Sequence, residues 1–317
     1  MKELEIIGLA AQCDYKAERA IALKLEASGR EYWRLIDGSR TFILCFLNPQ
    51  TGNHEQFCYL SNMFILNNIK ASKILVHNSK LGITIQEDLG DNDLLEVVNY
   101  SNRLDMTFRS LEMLVKIQEL NDLKIHRLKN EDLKNQITLF SDIFLKQFLQ
   151  IEPDNSILDL SNVVLENVQE QPWLNCHFDY ERRNLIASKG NDVHVIDFQD
   201  LCVGPIGIDL GGILLDHYEP YDEVFVKECL TFYQSKSILS MNNAELFESF
   251  RWGGIQRNMR ILGTLSRLYI DQDRSFRLTD LPMILENLIS IIPNNWNCRN
   301  YMINVIKPSL EKRLASI

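Results

Sequence analysis

Hydrophobic and polar positions alternate over short distances near the start of the chain. The pattern favours a strand over residues 21–25 and a second, aromatic-rich strand over 31–36. Asp37 and Gly38 then form a tight-turn signal, and residues 41–47 have the character of a third strand. The sequence therefore predicts an antiparallel meander in this region.

Helical spacing of apolar residues takes over further along the chain. It predicts a helix over 54–67, followed by a strand over 82–86 and a polar, hinge-like run over 87–90. Apolar residues recur at helical spacing from 92 to 149 and again towards residue 292, with a short strand predicted over 193–196. The chain has an α+β pattern in which strands come first and helices dominate afterwards.

This change of pattern predicts two lobes. We expect a small, antiparallel, β-rich N-terminal lobe over residues 1–90 and a larger, mainly helical C-terminal lobe over residues 91–317. A chain of 317 residues is long enough for two hydrophobic cores of this kind.

Composition narrows the expected partners and location. With 43 acidic and 33 basic residues the net charge is −10, which argues against nucleic acid or an anionic membrane as the main partner. The seven cysteines are scattered and form no CxxC pair, which favours free thiols in a reducing compartment. The N-terminal segment does not resemble a secretion signal, and no apolar run approaches the length of a membrane span. We therefore expect a cytoplasmic protein.

The clearest chemical signal lies between residues 176 and 200. Asp179 is followed five positions later by Asn184, and Asp197 comes at the end of the next predicted strand. Phosphoryl transfer from ATP needs a carboxylate that orients the attacking hydroxyl and accepts its proton, together with oxygen ligands for Mg²⁺. Asp179 suits the role of base, and Asn184 and Asp197 suit the role of metal ligands, because Mg²⁺ takes few protein oxygens.

The order of these residues resembles a known group of enzymes. His-x-Asp-x-x-x-x-Asn at 177–184, followed by Ile-Asp-Phe at 196–198, is similar to the catalytic and metal loops of the protein-kinase-like phosphotransferases that include aminoglycoside phosphotransferases and choline kinases. Phe178 stands where protein kinases commonly have Arg, and Gln199 where they have Gly, which suits the small-molecule branch. The resemblance implies the bilobal protein-kinase-like fold.

Within that branch the chain resembles bacterial cell-wall sugar kinases that phosphorylate N-acetylmuramate and N-acetylglucosamine at the anomeric carbon. The resemblance rests on the runs 197–210 and 252–268, together with the 28–30 loop and the 87–90 hinge. It implies an ATP-dependent, Mg²⁺-dependent kinase whose acceptor is a small molecule, most simply an amino sugar. It also implies that Asp209 hydrogen-bonds the catalytic loop from below.

The resemblance to these kinases also implies which residues bind the nucleotide, because such kinases use two loops for this purpose. A loop between strands of the small lobe would lie over the nucleotide phosphates, and the hinge would offer main-chain groups to adenine. The candidate cofactor-binding residues are Ser28, Gly29, Arg30, Gln86, Glu87 and Leu89. The third strand lacks the lysine that grips the phosphates in protein kinases, so Arg30 or the metal remains a candidate for neutralising them.

Two other functions stay open. An aminoglycoside or choline kinase would need an acidic acceptor pocket, and a choline site would also need an aromatic cage, for which Trp173, Trp252 and Tyr269 are available. The missing strand lysine leaves open an inactive nucleotide-binding scaffold. On the helix predicted near 252–268 we expect Arg260 to lie on a solvated face, whereas Arg257 has either a structural or an acceptor-binding role.

Overall fold

The computed structural model describes residues 1–23, 29–188 and 192–317. Two compact units are present: the first comprises Met1–Val97 and Arg183–Gln199, and the second comprises Val98–Arg182 and Asp200–Ile317. The segments 91–97 and 183–199, which the sequence prediction placed in the C-terminal lobe, therefore belong to the first unit. The assignment of nucleotide binding and catalysis to separate lobes stays a prediction.

The described residues form strands and helices in a clear order along the chain. The strands are β1 (Arg19–Ala22), β2 (Glu31–Asp37), β3 (Arg40–Phe46), β4 (Ile74–Asn78), β5 (Ile83–Glu87), β6 (Trp173–Cys176), β7 (Leu185–Ala187), β8 (Val193–Val195) and β9 (Cys202–Pro205). The α-helices are α1 (Glu3–Ala11), α2 (Glu55–Leu66), α3 (Leu94–Val97), α4 (Arg103–Gln118), α5 (Asn130–Leu139), α6 (Asn155–Gln169), α7 (Ile206–Leu214), α8 (Glu223–Lys236), α9 (Asn243–Gln272), α10 (Leu281–Ile291), α11 (Asn297–Tyr301) and α12 (Lys307–Leu314). Wider, π-helical turns over Phe140–Leu149 and Met302–Ile306 follow α5 and α11.

An antiparallel sheet of five strands forms the centre of the first unit, in the order β1-β2-β3-β5-β4. The predicted meander is confirmed as β1 to β3, although β1 begins and ends earlier than the strand predicted over 21–25, of which residues 24 and 25 lie outside the described residues. Gly38 takes the left-handed conformation, with φ +59°, that the tight turn requires. The predicted helix and fourth strand are confirmed as α2 and β5. Strand β4 was not predicted. It lies at the edge of the sheet, where half-buried side chains alternate with exposed ones and none is fully buried.

Helix α1 was also not predicted, although it covers part of this sheet. Ile6 and Ala10 are both fully buried and pack in one cluster with Leu35, Leu44 and Ile85 from the strands. They stand four residues apart, so they lie on the same face of the helix. Two buried positions, one helical turn apart, are too short a pattern to predict a helix from the sequence.

The β7–β8 hairpin is fastened to the rest of the first unit by main-chain bonds. The N–H of Val195 donates to the carbonyl of Lys70 at 2.9 Å, and the N–H of Ala187 donates to the carbonyl of Asn92 at 2.8 Å. The strand predicted over 193–196 is thereby confirmed as β8. These bonds explain why the hairpin groups with the first unit despite its position in the sequence.

Helices α7 and α9 cross at very short range in the second unit. A Cβ built on Gly253 would lie 2.0 Å from the carbonyl carbon of Gly207, and one built on Gly211 would lie 2.6 Å from the Cα of Gly254. Only glycine allows two helix backbones to approach this closely. The close crossing holds the segment that follows β9 against the longest helix of the chain.

Helix α9 is a core helix of 30 residues. The helix predicted near 252–268 is confirmed, and Ile255, Met259 and Leu262 form a fully buried apolar stripe along it. None of the helices in the described ranges is both long and apolar enough to cross a membrane.

Candidate active site

The predicted catalytic loop begins directly after β6 and is held from below by a buried carboxylate. Asp209 on α7 accepts hydrogen bonds from the N–H of His177 at 2.6 Å and from the N–H of Phe178 at 2.8 Å. The expected role of Asp209 is thus confirmed. Burial raises the pKa of Asp209 above its ordinary value, although the nearby His177 and the two N–H groups oppose that rise.

Phe178 takes a left-handed conformation with φ +78°. This is an uncommon and strained backbone for a residue with a bulky side chain, at a cost of about 1–3 kcal/mol. The carboxylate of Asp209 and the packing of the loop offset that strain. Because Phe178 directly precedes Asp179, its backbone sets the direction in which the Asp179 side chain leaves the loop.

Asp179 is half exposed and paired with a largely buried arginine. The Nη2 atom of Arg260, which lies on α9, donates to Asp179 Oδ1 at 2.9 Å and to the carbonyl oxygen of Phe178 at 3.1 Å. The side chain of Asp179 is 51% exposed, whereas that of Arg260 is only 13% exposed. The prediction that Arg260 lies on a solvated face is wrong, because its side chain packs against the catalytic loop, with its guanidinium 4.2 Å from the centroid of the Phe178 ring.

Ion pairs hold the residues that follow Asp179 in the sequence. Glu181 accepts from Arg257 Nη2 at 2.7 Å, and Arg182 pairs with Asp216 at 2.5 Å and with Glu219 at 3.1 Å. Glu181, Arg182 and Arg257 are all buried. Buried ion pairs add uncertain net stability, but they fix the geometry of the groups they join. The sequence contained these charges within the motif, yet no spacing rule gave their partners.

Gln256 and Arg257 are structural residues of α9. Gln256 is fully buried and donates from Nε2 to Gln136 Oε1 at 2.8 Å, and Arg257 is 1% exposed and bonded to Glu181. Of the two roles that the sequence left open for Arg257, burial and the bond to Glu181 favour the structural one.

The two predicted metal ligands lie together in the first unit. Asn184 immediately precedes β7 and Asp197 follows β8, and the N–H of Ile196 donates to the carbonyl of Asn184 at 3.0 Å. Asp197 has φ +59°, a strained conformation of the kind that collects at functional sites. Gln199 Nε2 donates to Asp197 Oδ1 at 2.8 Å. The hairpin thus brings an amide and a carboxylate to the same end of two paired strands.

Phe198 anchors the loop that carries Asp197. It is fully buried, and its ring centroid lies 4.8 Å from that of Phe57 and 4.9 Å from that of Phe64, both on α2. Aromatic contacts of this kind add to the free energy gained by burying the rings. Because Asp197 and Phe198 are adjacent, this packing fixes the position of the carboxylate relative to the sheet.

The donor set in the hairpin fits Mg²⁺ better than a transition metal. Among residues 1–23, 29–188 and 192–317, no three His, Cys, Asp or Glu side chains gather as a metal-binding cluster. Mg²⁺ does not need such a cage, because it takes one or two carboxylates, keeps water and binds substrate phosphates. Asp197 and Asn184 supply hard oxygen donors of this type.

The predicted phosphate loop is described only in part. Ser28 lies outside the described residues, whereas Gly29 has φ +72°, which suits a glycine in a tight loop. Arg30 is close enough to Tyr32 and Cys45, a facing pair on β2 and β3, to oppose the rise in their pKa values that burial causes. Arg30 therefore places a positive charge beside the third strand, which contains no lysine.

Asp197 acts on the same pair of residues. Its charge adds to the effect of burial, which raises the pKa of Tyr32 well above the ordinary value and that of Cys45 to about 12. Arg30 and Asp197 thus both lie within electrostatic range of Tyr32 and Cys45. This relationship places the predicted phosphate-binding cation and a predicted metal ligand near one point of the sheet.

The three predicted hinge residues differ in what they can offer a nucleotide. Gln86 is buried in β5, and its Oε1 accepts a hydrogen bond from the Ser72 hydroxyl at 2.9 Å. The N–H of Glu87 donates to the carbonyl of Lys73 at 2.9 Å. Within the described part of the chain, the main-chain groups of Leu89 take part in none of the hydrogen bonds. Leu89 is therefore the hinge residue with main-chain groups to spare.

An ion pair fixes the hinge itself. Arg34 on β2 donates to Asp88 from Nε at 2.7 Å and from Nη2 at 3.1 Å, and Arg34 also contacts Asp91 at 2.7 Å. Burial alone would raise the pKa of Asp88, but the hydrogen bonds from Arg34 and from Gly90 outweigh it and lower that pKa. Leu89 is thus held between two anchored carboxylates.

The predicted site residues are divided between the two units. Gly29, Arg30, Gln86, Glu87, Leu89, Asn184 and Asp197 belong to the first unit, and Asp179 belongs to the second. The sequence did not point to Arg260, Glu181 or Asp216 as site residues. The repeated charges around Asp179 were the available signal, but their pairing depends on α9 and on the segment after α7, which are distant in sequence.

Solved structures share this fold. The choline kinase LicA from Streptococcus pneumoniae gives a TM-score of 0.66 at 14% identity, covering 90% of this chain and 99% of that one. An ADP-bound aminoglycoside phosphotransferase, APH(2'')-Ib, gives a TM-score of 0.59 at 14% identity, covering 90% of this chain and 98% of that one. The predicted α+β, protein-kinase-like fold is confirmed.

Sequence relatives and a family match agree with the fold. An N-acetylmuramate/N-acetylglucosamine kinase from Pseudomonas aeruginosa is 24% identical over 273 residues, covering 83% of this chain and 80% of the relative. A protein of the same name from Neisseria meningitidis serogroup B is 25% identical over 279 residues, covering 83% and 82%. Residues 20–241 match the phosphotransferase enzyme family. The chain therefore belongs to this family and is a small-molecule phosphotransferase.

Proposed function

We propose that this protein is a kinase that transfers the γ-phosphoryl group of ATP to the anomeric hydroxyl of an N-acetylated amino sugar, N-acetylmuramate or N-acetylglucosamine. The observation that carries the proposal is the half-exposed Asp179 carboxylate on a strained loop held by Asp209 and Arg260. The acceptor class is taken from the relatives, whose names specify these two sugars.

In the proposed reaction Asp179 orients the sugar hydroxyl and accepts its proton. The sugar oxygen forms a bond to the γ-phosphorus, the bond between that phosphorus and the β–γ bridging oxygen breaks, and ADP leaves. The products are a glycosyl phosphate, ADP and one proton. An anomeric hydroxyl is more acidic than an ordinary alcohol, so it asks less of a carboxylate base.

Asn184 and Asp197 would hold the metal of this reaction. Mg²⁺ bound there would neutralise charge on the phosphates as the transferred group moves. The packing of Phe198 against α2 and the hydrogen bond from Gln199 keep the Asp197 carboxylate in place. Cofactor ligands positioned in this way need little rearrangement during turnover.

The first unit also carries the groups proposed to bind the nucleotide. Leu89 would give its main-chain N–H and carbonyl to adenine, because Gln86 and Glu87 use theirs within the protein. Arg30 would neutralise the phosphates in place of a lysine on β3. Two observations support this role. The charge of Arg30 opposes the burial-induced rise in the pKa values of Tyr32 and Cys45, and it adds to the effect of burial in lowering the pKa of His54.

The alternative of a choline kinase has less support. Trp173 stacks with Arg127, whose guanidinium lies 4.5 Å from the indole, while Trp252 is buried against Trp296. The third candidate aromatic, Tyr269, packs edge-on against a phenylalanine of the π-helical segment. Each of the three has a separate partner, so they do not favour an aromatic cage for a trimethylammonium group.

An acceptor panel tests the proposed function. Release of ADP would be measured by a coupled assay with N-acetylmuramate, N-acetylglucosamine, choline and an aminoglycoside, each with and without enzyme. We expect sugar-dependent ADP release with the two amino sugars only. Turnover of choline or the aminoglycoside alone would move the protein to another acceptor class, and the absence of any acceptor-dependent turnover would favour the inactive scaffold.

A further inference from the structure

The contact between Arg260 and Asp179 is unusual for a site that would receive a cation. Arg260 Nη2 lies 2.9 Å from Asp179 Oδ1, so the carboxylate that faces the acceptor already carries a positive partner. A carboxylate paired in this way presents little net negative charge to an approaching molecule. The charge at this point therefore differs from that of an acidic acceptor pocket.

Three contacts fix the guanidinium of Arg260. It is bonded to Asp179 Oδ1 and to the Phe178 carbonyl, and its central carbon lies 4.2 Å from the centroid of the Phe178 ring. Stacking on an aromatic ring and hydrogen bonding to a carbonyl both suit arginine better than lysine. A side chain that is 13% exposed cannot swing away into water without losing these contacts.

Contacts other than those of Arg260 fasten α9 in place. The helix is fastened to α7 by the close glycine crossing and to the catalytic loop by the buried pair of Arg257 and Glu181. Arg260 is instead bonded to the half-exposed aspartate at the site. Its position fits a role in the reaction better than a role in holding the fold.

We propose that Arg260 positions Asp179 and selects against cationic acceptors. It holds one oxygen of the carboxylate in a defined place, and its charge cancels the attraction that an unpaired Asp179 carboxylate would exert on an ammonium group next to the reacting hydroxyl, whereas a neutral sugar does not depend on that attraction. This inference rests on the function proposed above, because it assumes an acceptor hydroxyl at Asp179. It adds a specificity residue that the sequence pattern did not provide.

Two substitutions separate charge from packing. Arg260→Gln removes the charge and keeps a hydrogen-bonding side chain, and Arg260→Lys keeps the charge but loses the stacked, forked geometry. Arg267→Gln is the matched control, because Arg267 lies two turns further along the same helix and is exposed. Circular dichroism and urea unfolding would verify that all three variants fold.

The quantity to measure is the ratio of kcat/KM values for two acceptors that have the same sugar ring but different charge. N-acetylglucosamine is neutral, and glucosamine carries an ammonium group in place of the acetamide. We expect wild type to favour the neutral sugar, Arg260→Gln to lower kcat and to narrow the ratio of kcat/KM values by about tenfold or more, and Arg260→Lys to retain most of the ratio. Arg267→Gln should match wild type in both quantities.

The results distinguish this inference from the proposed function. An unchanged ratio in Arg260→Gln, or a wild type that prefers glucosamine, would overturn the role of Arg260 while leaving sugar phosphorylation intact. If wild type turns over only choline or an aminoglycoside, both proposals fail. If it turns over a different neutral sugar, the amino-sugar assignment fails, and the same ratio measured with an ammonium analogue of that sugar tests Arg260.

Discussion

The carboxylate of Asp209 accepts a hydrogen bond from the main-chain N–H of Phe178 at 2.8 Å, and this bond secures a residue with φ +78° directly before Asp179. Asp209 lies on α7, in the second unit, and α7 is itself locked against α9 by glycines. A chain of short contacts therefore runs from the core of the second unit to the proposed base. The direction of the Asp179 side chain follows from this arrangement and not from its own sequence neighbourhood alone.

Replacing the proposed base should affect rate and leave the fold intact. Asp179→Asn keeps the size of a half-exposed side chain and removes its ability to accept a proton, so we expect kcat to fall by about 10²-fold or more. The measurement is steady-state kinetics with the amino sugar, alongside urea unfolding as a check on stability. Turnover close to that of wild type would rule out Asp179 as the base.

The proposed metal ligand should make nucleotide binding depend on Mg²⁺. Calorimetry with an ATP analogue is expected to show tighter binding to wild type with Mg²⁺ than without it, and Asp197→Ala should lose that difference together with activity. Asp192→Ala is a suitable control, because Asp192 is a surface carboxylate next to β8 in the same hairpin, paired with Lys70. Equal binding by wild type in the presence and absence of Mg²⁺ would contradict the metal roles of Asn184 and Asp197.

The glycine crossing of α7 and α9 should tolerate no side chain. In Gly253→Ala the new Cβ would lie 2.0 Å from the carbonyl carbon of Gly207, so the helices must separate, and we expect the free energy of unfolding to fall by about 3 kcal/mol or more. Gly8→Ala is the control: α1 leaves open space at that position among the described residues, and the change should stabilise the protein by about 0.5–1 kcal/mol. Similar unfolding free energies for both variants would contradict the close crossing.

Buried His54 should make stability depend on pH. Burial lowers its pKa below the ordinary 6.5, with a further contribution from Arg30, while the hydrogen bond between Nε2 and the Gly82 carbonyl opposes the shift. The folded state therefore resists protonation, and below about pH 6.5 the unfolded chain binds a proton that the folded chain does not. The contribution of His54 to the free energy of unfolding is therefore fully present above about pH 6.5. It is lost as the pH falls through 6.5 towards the pKa of His54 in the folded state.

His54→Gln isolates this contribution, because glutamine keeps a donor for Gly82 and does not titrate. We expect the difference in unfolding free energy between wild type and the variant to shrink as the pH is lowered from 7.5 to 5, which urea unfolding at each pH would measure. A difference that stays constant, or that grows in favour of wild type at low pH, would be inconsistent with a neutral, buried His54.

Local patterns predicted those elements whose burial follows a simple period. In β2 the buried Trp33 and Leu35 alternate with more exposed residues as a strand requires, and the stripe of Ile255, Met259 and Leu262 marks one face of α9. The spacing of Asp179, Asn184 and Asp197 also follows from the sequence, since the catalytic loop and the hairpin are continuous segments. The chemistry that the sequence assigned to these three residues remains a prediction.

The environment of Arg260 could not be predicted in this way. Helical periodicity assumes that the face opposite an apolar stripe meets water. Helix α9 contacts α5, α6, α7, α8 and α10, so polar residues in its middle are covered by protein as well. Arginines at 257 and 260 consequently have protein partners, Glu181 and Asp179, that are about 80 residues away in sequence. Pairs of residues so far apart in sequence depend on the tertiary packing, and they produce no periodic pattern in the sequence.

The position of the phosphate on the product tests the proposed function most directly. Phosphorus NMR of a reaction containing ATP, Mg²⁺ and N-acetylmuramate or N-acetylglucosamine should show a new phosphate signal coupled to the anomeric proton, and mild acid should hydrolyse that product. Asp179→Asn, run in parallel, should give little of the signal. A phosphate coupled instead to the methylene protons at C6, or no sugar phosphate while choline or an aminoglycoside is phosphorylated, would contradict the proposed anomeric kinase.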